Sequence, residues 1–398
     1  MKRILMLGGS TSQICVIKKA QEMGHYVIIC DYLPDNPGQF VADEFYQVST
    51  SDKDAVLELA KKLNLDAVVC YASDPAAPTA AYVCEKLGFP TNPYESVMIL
   101  SNKDTFRKYL AEHNFCTPKA YCYTDYDSYI AEKDKFDYPV MVKPVDCSGS
   151  KGINKIYCDD ELEFAYNDAM KYSRCKRIVV EKFIQKKGYQ ISGDGFAVDG
   201  VLKFRCFGNE FYSNNGIKEY VPLGECWPSV LDENTQQKIH NELQRLITEL
   251  GMKTGAYNIE VILDENDNVY ILELGARNGG SLIPQITQYA TGIDMVEYTI
   301  KAALGEDCSN ISMKEPQGYW SNYMVHSRKS GRLKEVKLAD EIKDNYVEYQ
   351  TDYKLGDEVF AFENSGHALG TMVFKYGSKE EMFDKIARLT ELVAVEVE

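Results

Sequence analysis

Apolar residues in the N-terminal part of the chain follow two patterns: continuous runs, and repeats every three or four positions. Continuous apolar runs predict buried parallel strands at residues 3–9, 26–31 and 66–72. The stretches between them repeat apolar residues every three or four positions, which predicts amphipathic helices at residues 12–24 and 52–64. Strands and helices in this order build a doubly wound parallel α/β domain, which we place at residues 1–100.

The remaining sequence predicts α+β structure. A helix and a small lobe are expected at residues 101–190, and a larger sheet lobe at 191–305. The larger lobe contains helical patterns at 232–251 and 281–304. The last region, residues 306–398, alternates short strands with turns and is expected to form a small C-terminal α+β region.

Composition narrows the classes of protein. A chain of 398 residues is too long for one compact core and indicates two or three domains. Its net charge of −16 opposes binding to nucleic acid or to an anionic membrane. No apolar stretch is long enough for a transmembrane helix, and the N-terminus begins a strand without a signal peptide. The 12 cysteines lack CxxC spacing, which is typical of reduced thiols in the cytoplasm.

The N-terminal domain has the element order of a dinucleotide-binding domain, with Asp31 in the place of the ribose-binding acid. Its first loop reads GGSTSQ and lacks G-x-G-x-x-G, so we reject that interpretation. The loops at residues 8–13 and 73–78 follow strands, where open α/β sheets bind ligands. Asp74 is a candidate for a substrate ammonium group, although the start of a helix explains it equally well. Residues 207–229 form a long aromatic stretch that we interpret as part of a substrate lid.

Two glutamates, Glu260 and Glu273, lie on predicted strands joined by the polar turn DENDN. Asp and Asn tolerate the positive φ angles of a tight hairpin, and a hairpin can place both carboxylates on one side of a sheet. Mg²⁺ prefers one or two protein carboxylates together with substrate phosphates, so the pair is a candidate metal site. Arg277 follows, and its planar guanidinium can hold a phosphate or a carboxylate. A hairpin with two solvated acids is the alternative for this segment alone.

A second group of candidates comes earlier in the chain. The apolar run YPVMV ends at Lys143, and residues 147–152 follow as the small-residue loop CSGSKG. A lysine at a strand end reaches phosphates, and the backbone of a Gly/Ser loop approaches them closely. The loop lacks the Walker spacing, and a flexible surface hairpin is the alternative. Further on, Glu181 lies in a β run where it could contact an adenine amino group, with the backbone of Lys182 and Ile184 against the ring.

Taken in chain order, these segments resemble the ATP-grasp superfamily over about residues 1 to 305. The resemblance implies two lobes that clamp Mg·ATP, with Lys103, in the helix SNKDTFRKYL, as a first phosphate contact and Lys143 as a second. The loop residues that it assigns to the phosphates are Ser148, Gly149, Ser150 and Gly152. The adenine segment EKFI contains Glu181, Lys182 and Ile184. The implied catalytic residues are Lys143 and Arg277, and the implied metal ligands are Glu260 and Glu273.

Two positions depart from the family pattern. Gly275 stands where a metal-binding asparagine is expected, which leaves a second magnesium ion with fewer ligands unless Asn258 or Asn278 substitutes. Gln190 stands where an acid that contacts the ribose is expected. An amide also donates to and accepts from a hydroxyl, so ATP stays the expected nucleotide.

The resemblance implies an ATP-dependent carboxylate–amine ligase. A substrate carboxylate attacks the γ-phosphorus to form an acyl phosphate and ADP, and an amine then displaces the phosphate to form an amide or peptide bond. Amino-acid-like substrates are expected from the resemblance to dipeptide ligases. One alternative is a formate- or bicarbonate-using enzyme, similar to purine-pathway or biotin-carboxylase-like proteins. Another is a nucleotide-binding regulatory protein that has lost catalysis.

The same resemblance sets the expected ligands and surroundings. The cofactors are ATP and Mg²⁺, with Mn²⁺ as a substitute. The partners are a small-molecule carboxylate and amine, without nucleic acid or membrane, and a homodimer is left open. The expected location is the cytoplasm.

Overall fold

The computed structural model describes residues 1–212 and 220–398. Its N-terminal domain contains a four-stranded parallel sheet in the order β3-β2-β1-β4. The strands are β1 (Arg3–Leu7), β2 (Tyr26–Asp31), β3 (Glu44–Gln47) and β4 (Ala67–Cys70). The helices are α1 (Ile14–Glu22), α2 (Lys53–Lys62) and α3 (Ala77–Leu87). Leu5 packs in a core with α2 and α3, and Ile4 packs in another with α1, so both faces of the sheet are covered, as the sequence predicts.

Two helices lead from this domain into a small antiparallel lobe. They are α4 (Tyr94–Ser101) and α5 (Lys103–Glu112). The lobe contains β5 (Ala120–Tyr123), α6 (Tyr126–Ala131), β6 (Val140–Pro144), β7 (Asn154–Ile156), α7 (Leu162–Tyr172) and β8 (Ile178–Lys182). Its strand order is β5-β8-β6-β7. Buried residues of α7 pack against β6 and β8 and form the core of the lobe.

The next segment builds most of a large antiparallel sheet. Its strands are β9 (Ile191–Val198), β10 (Val201–Tyr212), β11 (Pro222–Trp227), β12 (Gly255–Leu263) and β13 (Val269–Gly275). Its helices are α8 (Glu233–Glu249), α9 (Ile283–Thr291) and α10 (Met295–Leu304). Buried residues of α10 also join the core beneath β1, so this helix links the large lobe to the N-terminal domain.

The C-terminal region adds strands to the same sheet. It contains β14 (Tyr319–Val325), β15 (Gly331–Leu338), α11 (Asp340–Lys343), β16 (Tyr346–Gln350), β17 (Glu358–Val359), β18 (Gly370–Tyr376), α12 (Lys379–Ala387), α13 (Leu389–Leu392) and β19 (Val393–Val397). The large sheet has the order β13-β12-β9-β10-β11-β14-β18-β16, and β17-β15-β19 form a smaller one. The large sheet continues past residue 305, where the sequence predicts a domain boundary. That boundary stays a prediction.

Two sequence-based expectations differ from the structure. The helix expected at 281–304 is two helices, because Gly292 ends α9 in a left-handed conformation with φ 76°. The stretch 207–229, expected as a lid loop, is largely the strands β10 and β11, and residues 213–219 between them lie outside the described residues. None of the helices in the described ranges is long and apolar enough to cross a membrane.

Candidate active site

The two predicted metal acids face each other across a β-hairpin. Glu260 on β12 pairs in register with Glu273 on β13. The turn is held by Asp264, whose Oδ1 accepts the backbone N–H groups of Asn266 (2.9 Å) and Asn268 (2.8 Å). Burial, followed by the charge of Glu273, raises the pKa of Glu260 well above its usual range. Like charges directly opposite each other destabilise a sheet unless a cation compensates them.

A third glutamate, Glu210 on β10, belongs to the same acidic group. The side-chain amide of Gln190 donates to Glu210 at 3.0 Å and to Glu260 at 3.3 Å. The Tyr212 hydroxyl donates to Oε1 of Gln190 at 3.2 Å. Gln190 therefore bridges two acids of the site, and its predicted contact with ribose stays a prediction.

Two cations stand beside Glu273. Lys103 is the first residue of α5, and its Nζ lies 3.6 Å from Glu273 Oε2 and donates to the Cys147 carbonyl at 2.8 Å. Arg277 follows β13, and its guanidinium lies 3.9 Å from Glu273 Oε1. Arg277 also donates twice to Asp74, at 2.8 and 2.6 Å. Asp74 is thus paired with Arg277, and its candidate role with a substrate ammonium group stays a prediction.

The small lobe contributes a buried charge network. Glu181 on β8 is 2% exposed, and it accepts from Arg107 Nε at 2.8 Å and from Lys143 Nζ at 2.7 Å. Burial alone would raise the pKa of Glu181, but Arg107 and Lys143 outweigh it and lower the pKa to about 2. Each oxygen of Glu181 therefore accepts from one cation of this network, and the predicted contact of Glu181 with adenine stays a prediction.

A cavity of about 400 Å³ is enclosed by residues of both lobes and has the size of a small-molecule site. Its apolar lining residues include Pro118, Met141, Ile153, Phe183, Ile184, Pro222, Ile262 and Leu272. The predicted site residues in its lining are Lys103, Lys143, Ser148, Gly149, Ser150, Glu181, Lys182, Ile184, Gln190, Glu260 and Glu273. Gly152 and Arg277 are the predicted residues that lie outside this lining.

A second cavity, of about 260 Å³, lies between the N-terminal domain and the site. Five residues line both cavities: Lys103, Cys147, Ser148, Leu272 and Glu273. The charged residues of the second cavity are Asp74, Lys103, Asp146, Arg174 and Glu273. The two cavities therefore meet at the loop of residues 147–152 and at one of the metal acids.

Sequence reasoning missed several residues of the site. Arg107 lies one helical turn after Lys103 on α5, so helix periodicity was an available signal for it. Glu210 and Tyr212 are two residues apart on β10 and therefore lie on the same face of this strand. The sequence pattern did not reveal this, because it predicts a lid loop at residues 207–229. Ser365 also lines the main cavity, and no signal linked it to the site because it comes from the C-terminal region.

The acids fit a metal ion only together with a ligand. Among the described residues, no group of three or more His, Cys, Asp or Glu is arranged to hold a metal by itself. Mg²⁺ takes one or two protein carboxylates when phosphates complete its shell, and the facing pair Glu260 and Glu273 fits that requirement. A Cβ at Gly275 would lie 3.3 Å from Asp74 Oδ1 and 3.4 Å from Arg277 Nε, so the ion pair occupies the space an asparagine would need.

The two asparagines considered as substitutes have other partners. Thr299 donates to the side-chain oxygen of Asn278 at 2.7 Å, and the side-chain nitrogen of Asn258 donates to Asp194 at 3.2 Å. Burial raises the pKa of Asp194 to about 7. Neither contact directs an asparagine toward Glu260 or Glu273.

A parallel α/β domain, two antiparallel lobes and a charged cavity between them agree with the architecture that the resemblance to ATP-grasp proteins implies. The sequence model of the family described as the D-ala D-ala ligase C-terminus matches residues 110–296. This match agrees with the resemblance to the ATP-grasp superfamily that the sequence motifs suggested.

The most similar proteins fall into more than one branch. A formate-dependent phosphoribosylglycinamide formyltransferase of Sulfurisphaera tokodaii is 24% identical over 322 residues, which is 79% of each chain. The L-amino acid ligase of Bacillus licheniformis superposes with a TM-score of 0.82 at 21% identity, over 100% of this chain and 99% of that one. The biotin carboxylase domain of the Hydrogenobacter thermophilus 2-oxoglutarate carboxylase, in complex with MgADP, superposes with a TM-score of 0.76 at 18% identity, over 99% and 90%.

The names of the relatives include those of a formyltransferase, a ribonucleotide synthase and an amino acid ligase, which agrees with the ligase class that the sequence suggested. The names of the sequence relatives support the formate-using alternative better than the amino-acid interpretation.

Proposed function

We propose that the protein is an ADP-forming ligase that activates a small carboxylate as an acyl phosphate and transfers the acyl group to an amine. The observation that carries this proposal is the meeting of the two cavities at Lys103 and Glu273. One cavity is large enough for a nucleotide, and the other lies against its charged lining. A phosphoryl donor and its acceptor need such adjacent, water-poor sites, because alignment and charge neutralisation supply most of the catalysis.

The chain's own residues divide the work. Lys103 and Lys143 hold the phosphates, and Glu181 and Arg107 keep Lys143 in position. Glu260 and Glu273 would hold Mg²⁺, which supplies positive charge against the triphosphate when it is bound. Arg277, which pairs with Asp74 of the second cavity and lies 3.9 Å from Glu273, is proposed to stabilise the acyl phosphate. The loop of residues 147–152 offers backbone N–H groups to the phosphates.

The apolar lining of the main cavity suits the base of the nucleotide. Met141, Ile184 and Leu272 supply flat apolar surface for an adenine ring. Backbone groups of Lys182 and Ile184 are proposed to contact its edge, and Gln190 to contact the ribose. MgADP in the related biotin carboxylase domain supports this assignment.

Formate is the first candidate for the acid. The formyltransferase similarity extends over most of both chains, and its name includes formate as the substrate of that protein. In this reading the product is a formamide, and the acceptor is an amine that enters the second cavity.

An amino-acid-like acceptor is the second candidate, and a specific observation favours it. The charged residues of the second cavity are three acids and two bases, and Arg174 and Asp146 already pair with each other. The loop after β1 also has its amides engaged, since Gly9 donates to Asp31 at 2.9 Å and Ser10 to Gln13 at 2.8 Å. The second cavity and the loop after β1 therefore offer few free hydrogen-bond donors to the phosphate of a phosphorylated amine. An amine without a phosphate fits this cavity better.

The experiment is a screen for ADP release with Mg·ATP. The acids are formate, bicarbonate and pooled amino acids, each offered with amines that carry a phosphate and amines that do not. We expect ADP release to require both an acid and an amine, and to be lost in Glu273→Gln. ADP release that is independent of every acid, or AMP as the product, would contradict the proposal. The amine series separates the two candidates.

A further inference from the structure

The C-terminal region contacts the phosphate loop directly. The Ser365 hydroxyl donates to the Gly149 carbonyl at 3.0 Å, and the backbone N–H of Ser365 donates to the same oxygen at 3.2 Å. Ser365 also lines the main cavity. The loop belongs to the small lobe, so these two hydrogen bonds connect it to a different part of the fold.

The segment that carries Ser365 is firmly attached to the large sheet. Phe362 donates its N–H to the Ser327 carbonyl at 2.9 Å, and Leu369 donates to Val325 at the end of β14 at 2.7 Å. Within the segment, the Asn364 side chain accepts the N–H of Gly366 at 2.9 Å. The position of Ser365 is therefore set by β14 and not by the small lobe.

We propose that Ser365 is a positioning residue that latches the loop of residues 147–152 to the large sheet, in the closed position over the phosphates. The inference deepens the proposed function and rests on it for the identity of the phosphates. The latch does not contact reacting atoms. It acts through the loop, whose residues 147–150 line the cavity.

The residue at the other end of the latch suits this contact. Gly149 has φ +72°, a conformation that residues with a side chain rarely adopt. A Cβ at Gly149 would lie 2.0 Å from the Ser365 hydroxyl, so the close approach requires glycine. Small side chains give the loop little packing of its own, and the latch offsets part of the entropy of ordering it.

A latched loop has a chemical consequence. An acyl phosphate hydrolyses if water reaches it before the amine does. When the latch is weakened, the loop opens more often, and more ATP is converted to ADP and phosphate without ligated product.

The test compares Ser365→Ala with Ser309→Ala, whose hydroxyl pairs with Asp307 away from the cavity. Hydrogen exchange of residues 147–152 is measured in the intact protein, without nucleotide and with a non-hydrolysable ATP analogue and Mg²⁺. Loss of one hydrogen bond predicts roughly two- to tenfold faster exchange in Ser365→Ala, because its backbone N–H remains. Ser309→Ala should match the unmodified protein.

Equal exchange of these residues in Ser365→Ala and Ser309→Ala, in both states, would overturn the latch. The second readout is the ratio of ADP to ligated product, which we expect to rise only in Ser365→Ala. If exchange changes but no acid and amine pair is ligated by the unmodified protein, the latch stands and the proposed function fails. If ligation occurs and exchange does not change, the function stands and the latch fails.

Discussion

Single residues in this site are defined by the partners that hold them. Lys143 and Arg107 share the two oxygens of Glu181, so one buried acid orients a lysine of the small lobe, which we propose binds phosphate, and an arginine of α5. Buried ion pairs add little net stability, but removing one partner leaves a charge uncompensated. The network is therefore better understood as a device for position than as a source of stability.

Lys143→Ala should lower ligase turnover by about 100-fold or more, which is the usual cost of losing one preorganised charge donor. The fold should persist, because Glu181 keeps Arg107 as a partner. Turnover and circular dichroism are measured beside Lys61→Ala, whose lysine pairs with Glu58 on an exposed helix face. Near-normal turnover in Lys143→Ala would remove this lysine from the phosphate site.

The loss of folding stability at acid pH tests the ion pairs of Glu181. Its pKa falls from 4.5 to about 2, which at ~1.4 kcal/mol per unit is about 3 kcal/mol. A lowered carboxyl pKa stabilises the fold above pH 4.5, and that stability is lost as the pH falls toward 2. Glu181→Gln should therefore be less stable at pH 7 and show a flatter loss of stability between pH 5 and pH 2. Parallel pH profiles in urea denaturation would contradict the network.

The sequence alone could predict Lys143 but not its partner. A lysine that ends an apolar run is visible locally, whereas Glu181 and Arg107 are 74 residues apart in the chain. Their contact depends on how β6, β8 and α5 pack. Periodicity within each element contains no information about that packing.

At the scale of elements, the β12–β13 hairpin holds the two glutamates that we propose bind the metal. The sequence could predict the turn of this hairpin, because Asp and Asn tolerate positive φ angles. In the structure Asp267 adopts a φ of 61°. The register then follows from the turn and places Glu260 opposite Glu273. The split between α9 and α10 was not readable in the same way, since apolar residues recur with helical spacing on both sides of Gly292.

The pH dependence of stability tests this hairpin in the absence of metal. The pKa of Glu260 is raised, so the folded state binds a proton that the unfolded state releases above pH 4.5, and stability falls as the pH rises. Glu260→Gln removes that penalty. Without Mg²⁺ at pH 8 we expect its unfolding midpoint to rise by ~2–4 °C, and the gain to disappear near pH 4.

Addition of Mg·ATP should reverse this order, because the unmodified protein gains binding free energy that Glu260→Gln largely loses. Glu58→Gln, at an exposed position, serves as the control. An unfolding midpoint for Glu260→Gln that is lower than normal at pH 8, or a full response to Mg·ATP, would argue against a metal-binding pair.

Across the whole molecule, the N-terminal domain and the lobes meet at the site. The Asp74–Arg277 ion pair joins the loop after β4 to the segment after β13. Lys19 on α1 also pairs with Asp294 before α10, at 2.9 Å. The N-terminal domain therefore helps to place a residue of the reaction centre as well as lining the second cavity.

Asp74→Asn should reduce turnover and also weaken the attachment of the N-terminal domain. Hydrogen bonds to charged groups contribute about 1.5–3 kcal/mol, and Arg277 would keep only weaker partners. Turnover and thermal unfolding are compared with Asp340→Asn, whose pair with Lys343 is fully solvated. If the two variants behave alike, the ion pair has no part in positioning Arg277.

The packing of the domains and strands within the chain could be predicted only in part from the sequence. Alternating strands and helices define the N-terminal domain, because each element there follows its neighbour in space. The C-terminal strands β14, β18 and β16 extend the large sheet out of chain order, so local patterns could not show that they belong to it. Ser365 and Gly149 are 216 residues apart in the sequence, and their contact follows from that arrangement of strands.

The central claim is the acyl phosphate, and oxygen transfer tests it most directly. The acid that supports ADP release is labelled with ¹⁸O in its carboxylate, and the inorganic phosphate is analysed by mass spectrometry. One carboxylate oxygen bonds to the γ-phosphorus, and it leaves with the phosphate when the amine attacks the carbonyl carbon. We predict one ¹⁸O in each phosphate released, with ADP as the other product. Unlabelled phosphate, or label that appears in AMP, would contradict the account.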